Sequence, residues 1–98
     1  MVDVQKVEEY IDKTERALKK IEMNQPKRSH LNNIAEDFLD MIEAYFKDAK
    51  HFYEKEDYVN AFACVNYAHG WLDAGARLGL FDTGGDDQLF TLAESNND

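Results

Sequence analysis

Three polar side chains spaced four residues apart are the part of this sequence best suited to chemistry. They are His69, Asp73 and Arg77. Residues four apart project from one side of a helix, so an imidazole, a carboxylate and a guanidinium can touch in sequence. In a catalytic arrangement Asp73 would orient His69 as a general base, and Arg77 would hold an anionic substrate. The alternative, a hydrogen-bonded polar edge that holds one helix against its neighbour, is favoured because no nucleophile, phosphate-binding glycine loop or second acid accompanies these residues.

The same helix carries an apolar surface away from this polar flank. Tyr67, Trp71 and Leu78 supply large side chains, and Gly70 and Ala74 are small enough to let another helix approach closely. Two interpretations stay open for this surface. It is either packing inside the chain, or an interface with a protein partner or with a second copy in a homodimer.

Three segments with helical periodicity position these residues. Apolar residues recur at three-four spacing over about 4–23, 29–55 and 57–78, with Ser29 and Asp57 as N-caps of the second and third segments. Gly79 followed by Leu80 and Phe81 is the sequence pattern of a Schellman motif, which ends the third helix. The pattern predicts an all-α fold, an antiparallel three-helix bundle over residues 1–81.

Residues 82–98 differ in composition from the rest of the chain. They are rich in glycine, acids and other polar residues, which predicts an acidic, mostly disordered, flexible C-terminal tail. Leu89 and Phe90 form a short apolar patch within it that is suited to docking on the bundle or on a partner. The candidate interface therefore consists of Tyr67, Trp71, Leu78, Leu89 and Phe90.

Composition excludes several classes of function. Twenty acidic residues against eleven basic ones give a net charge of −9, which repels phosphate backbones and anionic lipids, so neither nucleic acid nor a membrane is expected as a partner. The single cysteine, Cys64, cannot form a disulfide within the chain, and no metal-ligand spacing is present, so no metal or other cofactor is expected.

No apolar run approaches the ~18 residues of a membrane span, and no basic-then-apolar leader opens the sequence. A cytoplasmic location is therefore expected.

From Asp57 to Phe81 the sequence resembles an archaeal family of small helical proteins of unknown function, DUF357. The resemblance is carried by four strings, Asp57-Tyr58, Tyr67-Ala68-His69-Gly70, Leu72-Asp73-Ala74 and Arg77-Leu78-Gly79. It implies an archaeal cytoplasmic protein with a three-helix fold. It implies no chemistry, because the family has no activity to carry over.

Two functions follow from these observations. The first is a non-enzymatic protein–protein interaction module that uses the apolar surface and the tail patch. The alternative is a small enzyme or ligand-binding protein that uses the flank of His69, Asp73 and Arg77. A flat, apolar surface would favour the first, whereas an open, concave polar flank would favour the second.

Overall fold

The structure, a computed structural model, describes residues 2–85 and is built from three helices. These are α1 (Val4–Lys20), α2 (His30–Glu54) and α3 (Tyr58–Arg77). Two short strands, β1 (Glu22–Met23) after α1 and β2 (Phe81–Asp82) after α3, form a small sheet. The predicted all-α fold of three helices is confirmed. The apolar patch of Leu89 and Phe90 lies outside the described residues. Within the described part of the chain, no helix is both long and apolar enough to cross a membrane.

Each helix begins at a side chain that caps it. A carboxylate or hydroxyl oxygen accepts a hydrogen bond from a backbone N–H of the first turn, which would otherwise lack a partner. The cap pairs are Asp3 with Gln5 at 3.0 Å, Ser29 with Asn32 at 3.0 Å, and Asp57 with Asn60 at 3.3 Å. These caps are local in sequence, so the predicted starts of α2 and α3 agree with the structure.

The end of α3 forms the predicted Schellman motif. Gly79 has a φ of 79°, a conformation that favours glycine. The backbone N–H of Leu80 donates to the carbonyl of Gly75 at 2.9 Å, and that of Gly79 donates to the carbonyl of Ala76 at 3.1 Å. This turn reverses the chain, so that Leu80 and Phe81 lie buried against the helices.

The end of α1 differs from the prediction. The periodicity predicted a helix to residue 23, but α1 ends at Lys20, and Glu22–Met23 pairs in antiparallel fashion with Phe81–Asp82. The partner strand is more than fifty residues away, so this pairing is a tertiary contact that local periodicity cannot show. The predicted boundary after residue 81 falls within β2.

The core lies between the helices, with α3 packed against both α1 and α2. In α3 the buried positions recur at three-four spacing, as predicted, at Ala61, Val65, Ala68 and Leu72. On α2, Leu31 and Met41 fit the three-four spacing of the apolar residues but are exposed, while Ile42 and Phe46 are buried. The core cluster is formed by Ala17, Ala35, Ile42, Phe46, Ala49, Val65, Ala68, Leu72, Leu80 and Phe81.

Candidate functional site

The polar flank of α3 faces α1. The hydroxyl oxygen of Thr14 lies 2.9 Å from Nδ1 of His69, and Nε2 of the same ring lies 3.8 Å from Oδ1 of Asp73. Thr14 is fully buried, and the side chain of His69 is only 14% exposed. Arg77 follows one turn later and is exposed. The structure thus brings His69 and Asp73 together, as their spacing predicted, and adds Thr14 from another helix.

The imidazole shares a hydrogen bond with the hydroxyl of Thr14, and the tautomer of the ring sets which of the two groups donates. The carboxylate of Asp73 lies on the Nε2 side of the ring. In enzymes that use a side-chain nucleophile, a hydroxyl, an imidazole and a carboxylate in this order act as the nucleophile, the general base and the group that orients the base. The hydroxyl of Thr14 is nevertheless enclosed between helices, where no substrate can reach it. The arrangement instead links α1 to α3 through a partly buried hydrogen bond.

Sequence reasoning missed Thr14 as a member of this cluster. The residue fits the three-four spacing of the apolar residues of α1, and it is fully buried. The available signal was a hydroxyl in an otherwise apolar seam, since a buried hydroxyl requires a hydrogen-bond partner. Its partner is 55 residues away, so the sequence alone could not identify it.

The apolar surface of α3 is partly exposed and partly packed against α2. Tyr67 is 62% exposed and Leu78 68% exposed. The ring of Tyr67 stacks on that of Tyr45, with centroids 4.9 Å apart, and the half-buried Trp71 meets Phe38 edge-to-face at 4.8 Å. Packing inside the chain therefore covers part of the Trp71 side chain. It leaves most of the Tyr67 and Leu78 side chains exposed to solvent.

An apolar groove runs between α2 and α3 beside these rings. It has a volume of about 330 Å³ and is lined by Phe38, Asn66, Tyr67, Gly70, Trp71 and Ala74. A Cβ atom added at Gly70 would meet nothing within 4 Å, so its outer side is open. We call the apolar and small residues of the exposed stripe along this helix the α3 face; they are Val59, Ala63, Tyr67, Gly70, Trp71, Ala74 and Leu78. The same side of the helix also exposes Asn60, Asn66 and Arg77.

Two other groups have shifted pKa values. Burial, and then the nearby carboxylates of Asp48 and Asp57, raise the pKa of the Cys64 thiol. The hydroxyl of Tyr53 donates a hydrogen bond to the carboxylate of Glu8, which joins α2 to α1 and raises the pKa of Tyr53. Among the described residues, no three His, Cys, Asp or Glu side chains converge in a way that could hold a metal ion.

Comparison with known proteins identifies the family. The family model described as "Protein of unknown function (DUF357)" matches residues 9–81. The chain belongs to the DUF357 family. The crystal structure of a DUF357 protein from Archaeoglobus fulgidus is similar to it, with 31% sequence identity and a TM-score of 0.66, covering 82% of this chain and 91% of that one. No curated protein matches the chain.

The DUF357 match confirms the resemblance seen in the sequence, and the similar structure is that of an archaeal protein. The matched range contains Thr14, His69 and Asp73 as well as most of the α1 and all of the α2 and α3 residues. The cluster of Thr14, His69 and Asp73 and the α3 face therefore both lie in the part of the chain that corresponds to the DUF357 family.

Proposed function

We propose that this DUF357 protein is a non-enzymatic protein–protein interaction module that binds its partner through the α3 face. The observation that carries the proposal is the row of exposed large apolar side chains along α3, with small residues and the half-buried Trp71 between them. Val59, Tyr67 and Leu78 are each more than 60% exposed and lie on one side of a single helix. Isolated exposed apolar residues are common on protein surfaces, whereas a contiguous apolar patch is typical of an interaction site.

The aromatic rings beside the groove are held in place before a partner arrives. Tyr67 stacks on Tyr45, and Trp71 packs against Phe38. Side chains that are already ordered lose little conformational entropy on binding. Tyrosine and tryptophan are also enriched among the residues that contribute most to protein–protein affinity. The α3 face thus combines exposed apolar area with rigid anchors.

Charge supports a protein as the partner. The net charge of −9 opposes binding to phosphate backbones and to anionic membranes. An uncharged α3 face has no means of attracting either. A cytoplasmic location remains our expectation, since a single cysteine suits a reducing compartment.

The enzyme alternative has less support from the geometry. His69 contacts α1, and its partner there is the hydroxyl of the fully buried Thr14. Such a cluster is suited to orienting one helix on another. We therefore propose a structural role for His69 and Asp73 and a binding role for the α3 face.

Site-specific photo-crosslinking in cells tests the proposed function. A photoreactive amino acid in place of Tyr67 is expected to form covalent adducts of discrete mass with protein, either a second copy or another chain. The matched control carries the same amino acid in place of Lys19, which is exposed on α1. Adducts with protein from the Tyr67 variant alone support the proposal. Equal adducts from both variants, or none from either, overturn it.

A further inference from the structure

The α3 face is complementary to itself when two copies meet in opposite directions. We infer that its partner is a second copy of the chain, with the two α3 helices antiparallel and a two-fold axis passing between Gly70 and Trp71. This inference rests on the proposed function and adds the identity of the partner. It is carried by the order of large and small residues, by the distribution of charge and by the available area.

The order of residues along the α3 face pairs Tyr67, Trp71 and Leu78 each with a small residue, while Val59 lies beyond the paired stretch. With the axis between Gly70 and Trp71, an antiparallel copy places the partner's Trp71 opposite Gly70, the partner's Tyr67 opposite Ala74, and the partner's Leu78 opposite Ala63. All of these residues are exposed or half-buried. The open side of Gly70 allows the two backbones to approach closely. Large residues that meet small ones interdigitate without voids, as in helix packing generally.

The distribution of charge favours contact along α3 itself. Two chains that each carry a charge of −9 repel one another wherever acidic surfaces meet. The α3 helix carries one acid, Asp73, and one base, Arg77, so it contributes no net charge. The neighbouring helix α2 carries six acids and two lysines, so two copies repel one another less along α3 than along α2. The antiparallel direction also aligns the two helix dipoles favourably.

The available area predicts a weak dimer. A helix of 20 residues is about 30 Å long, and together with the adjoining side of α2 the surface is about 20 Å wide. This amounts to roughly 600 Å² per copy, near the lower limit for specific protein–protein interfaces. We expect a dissociation constant on the order of micromolar, as is found for small interfaces.

Sedimentation of the purified full chain from 1 µM to 1 mM tests the dimer. The variant Gly70→Arg adds a charged side chain at the centre of the interface, where the unbound protein has open space, and is expected to raise the dissociation constant by about 30-fold or more. The matched control is Gln5→Arg, the same change in charge at an exposed site on α1. It should dimerise as the wild type does, and circular dichroism should show all three proteins folded. Equal dimerisation of wild type and Gly70→Arg overturns the inference.

Cysteine crosslinking tests the direction of pairing in a Cys64→Ser background. Gly70→Cys lies next to the axis and is expected to form a disulfide between copies, because the two Cα atoms come within the required 4.4–6.8 Å. Ala63→Cys is distant from its own copy in the antiparallel arrangement, but should crosslink to Leu78→Cys when the two variants are mixed. A disulfide between two copies of Ala63→Cys would indicate parallel helices and overturn the proposed arrangement.

The strength of the dimer should depend on the salt concentration. Screening weakens the repulsion between two acidic copies, so dimerisation should strengthen as sodium chloride rises from 20 to 300 mM.

The oligomeric state and the photo-adducts together distinguish this inference from the proposed function. If the wild type remains monomeric at 1 mM while Tyr67 photo-adducts with a different protein form in cells, the second-copy inference fails and the proposed function stands. If the Tyr67 variant gives no adducts with protein, both fail.

Discussion

Thr14 and His69 illustrate how a buried polar pair can specify the arrangement of two helices. A buried hydroxyl without a partner costs about 1–3 kcal/mol in proteins, and the hydrogen bond with the imidazole removes that cost. Because the bond requires a defined distance and direction, it restricts the rotation of α1 against α3 more than apolar contacts do. Asp73 lies on the other side of the ring, with its Oδ1 3.8 Å from Nε2.

Replacing Thr14 by valine keeps the shape of the side chain and removes the hydroxyl. The change leaves Nδ1 of His69 without its partner in a largely buried place, so we expect the free energy of unfolding to fall by about 1–2 kcal/mol. Urea denaturation measures it. Thr14→Ser, which retains the hydroxyl, should lose less. A Thr14→Val variant as stable as the wild type would show that the bond contributes nothing to stability.

Cys64 should react slowly with alkylating reagents at neutral pH. Burial and the carboxylates of Asp48 and Asp57 raise the pKa of its thiol, and the thiolate is the reactive form. The alkylation rate with iodoacetamide is therefore expected to rise with pH at a higher midpoint than for a free cysteine. Asp48→Asn should lower that midpoint, whereas Asp37→Asn should not. A midpoint at or below that of free cysteine would contradict this assignment.

The C-terminal end of α3 packs against the segment that follows it, and this segment also pairs with the strand after α1. After the Schellman turn, the ring of Phe81 lies directly against Gly75, where a side chain would have no room: an added Cβ atom would come within 2.3 Å of the ring. Gly75 is thus required for close packing, although glycine is unfavourable inside a helix. The same segment supplies β2 and pairs with β1, which follows α1.

Two glycines of α3 allow this to be tested with a matched pair of variants. Gly75→Ala forces the buried Phe81 ring to move and is expected to destabilise the protein by about 1–3 kcal/mol, despite the better helix propensity of alanine. Gly70→Ala meets no atom and should stabilise it by up to about 1 kcal/mol. Thermal unfolding at a protein concentration well below the expected dissociation constant of the dimer compares the two. Similar effects of both variants would refute the packing role of Gly75.

At the scale of the whole molecule, the dominant property is its excess of negative charge. The described residues 2–85 hold sixteen of the twenty acids and all eleven basic residues, a net charge of −5, so the folded state brings like charges together. One example is Glu22, which lies directly opposite Asp82 in the pairing of β1 with β2. Like charges in this position destabilise a strand pair. The fold is stable against this repulsion because of its apolar core and its caps.

Salt should therefore stabilise the protein. We expect the melting temperature at 1 µM protein to rise as sodium chloride increases from 20 to 300 mM, since screening weakens repulsion between exposed acids. Glu22→Lys replaces a like-charged pair with an opposite one and should melt higher at low salt and gain less from added salt. A wild-type melting temperature that falls with salt would mean that attractive ion pairs outweigh the repulsion.

Much of the fold could be predicted from the sequence because the relevant interactions are local. The seam of Ala61, Val65, Ala68 and Leu72 follows from helical spacing alone. The Schellman motif at Gly79 and the caps at Ser29 and Asp57 depend on residues within one turn. The proximity of His69 to Asp73 follows in the same way from their separation by four residues.

Spacing along a single helix is therefore enough to predict three helices, the caps at Ser29 and Asp57, and a polar flank and an apolar stripe on α3. The packing of distant segments sets the end of α1 at Lys20, the contact of Thr14 with His69, and the exposure of Tyr67 and Leu78 beside the packed Trp71. Each of these depends on how segments distant in the chain approach one another. The rotation and depth of one helix against another are set by the fit of their side chains, which periodicity does not encode.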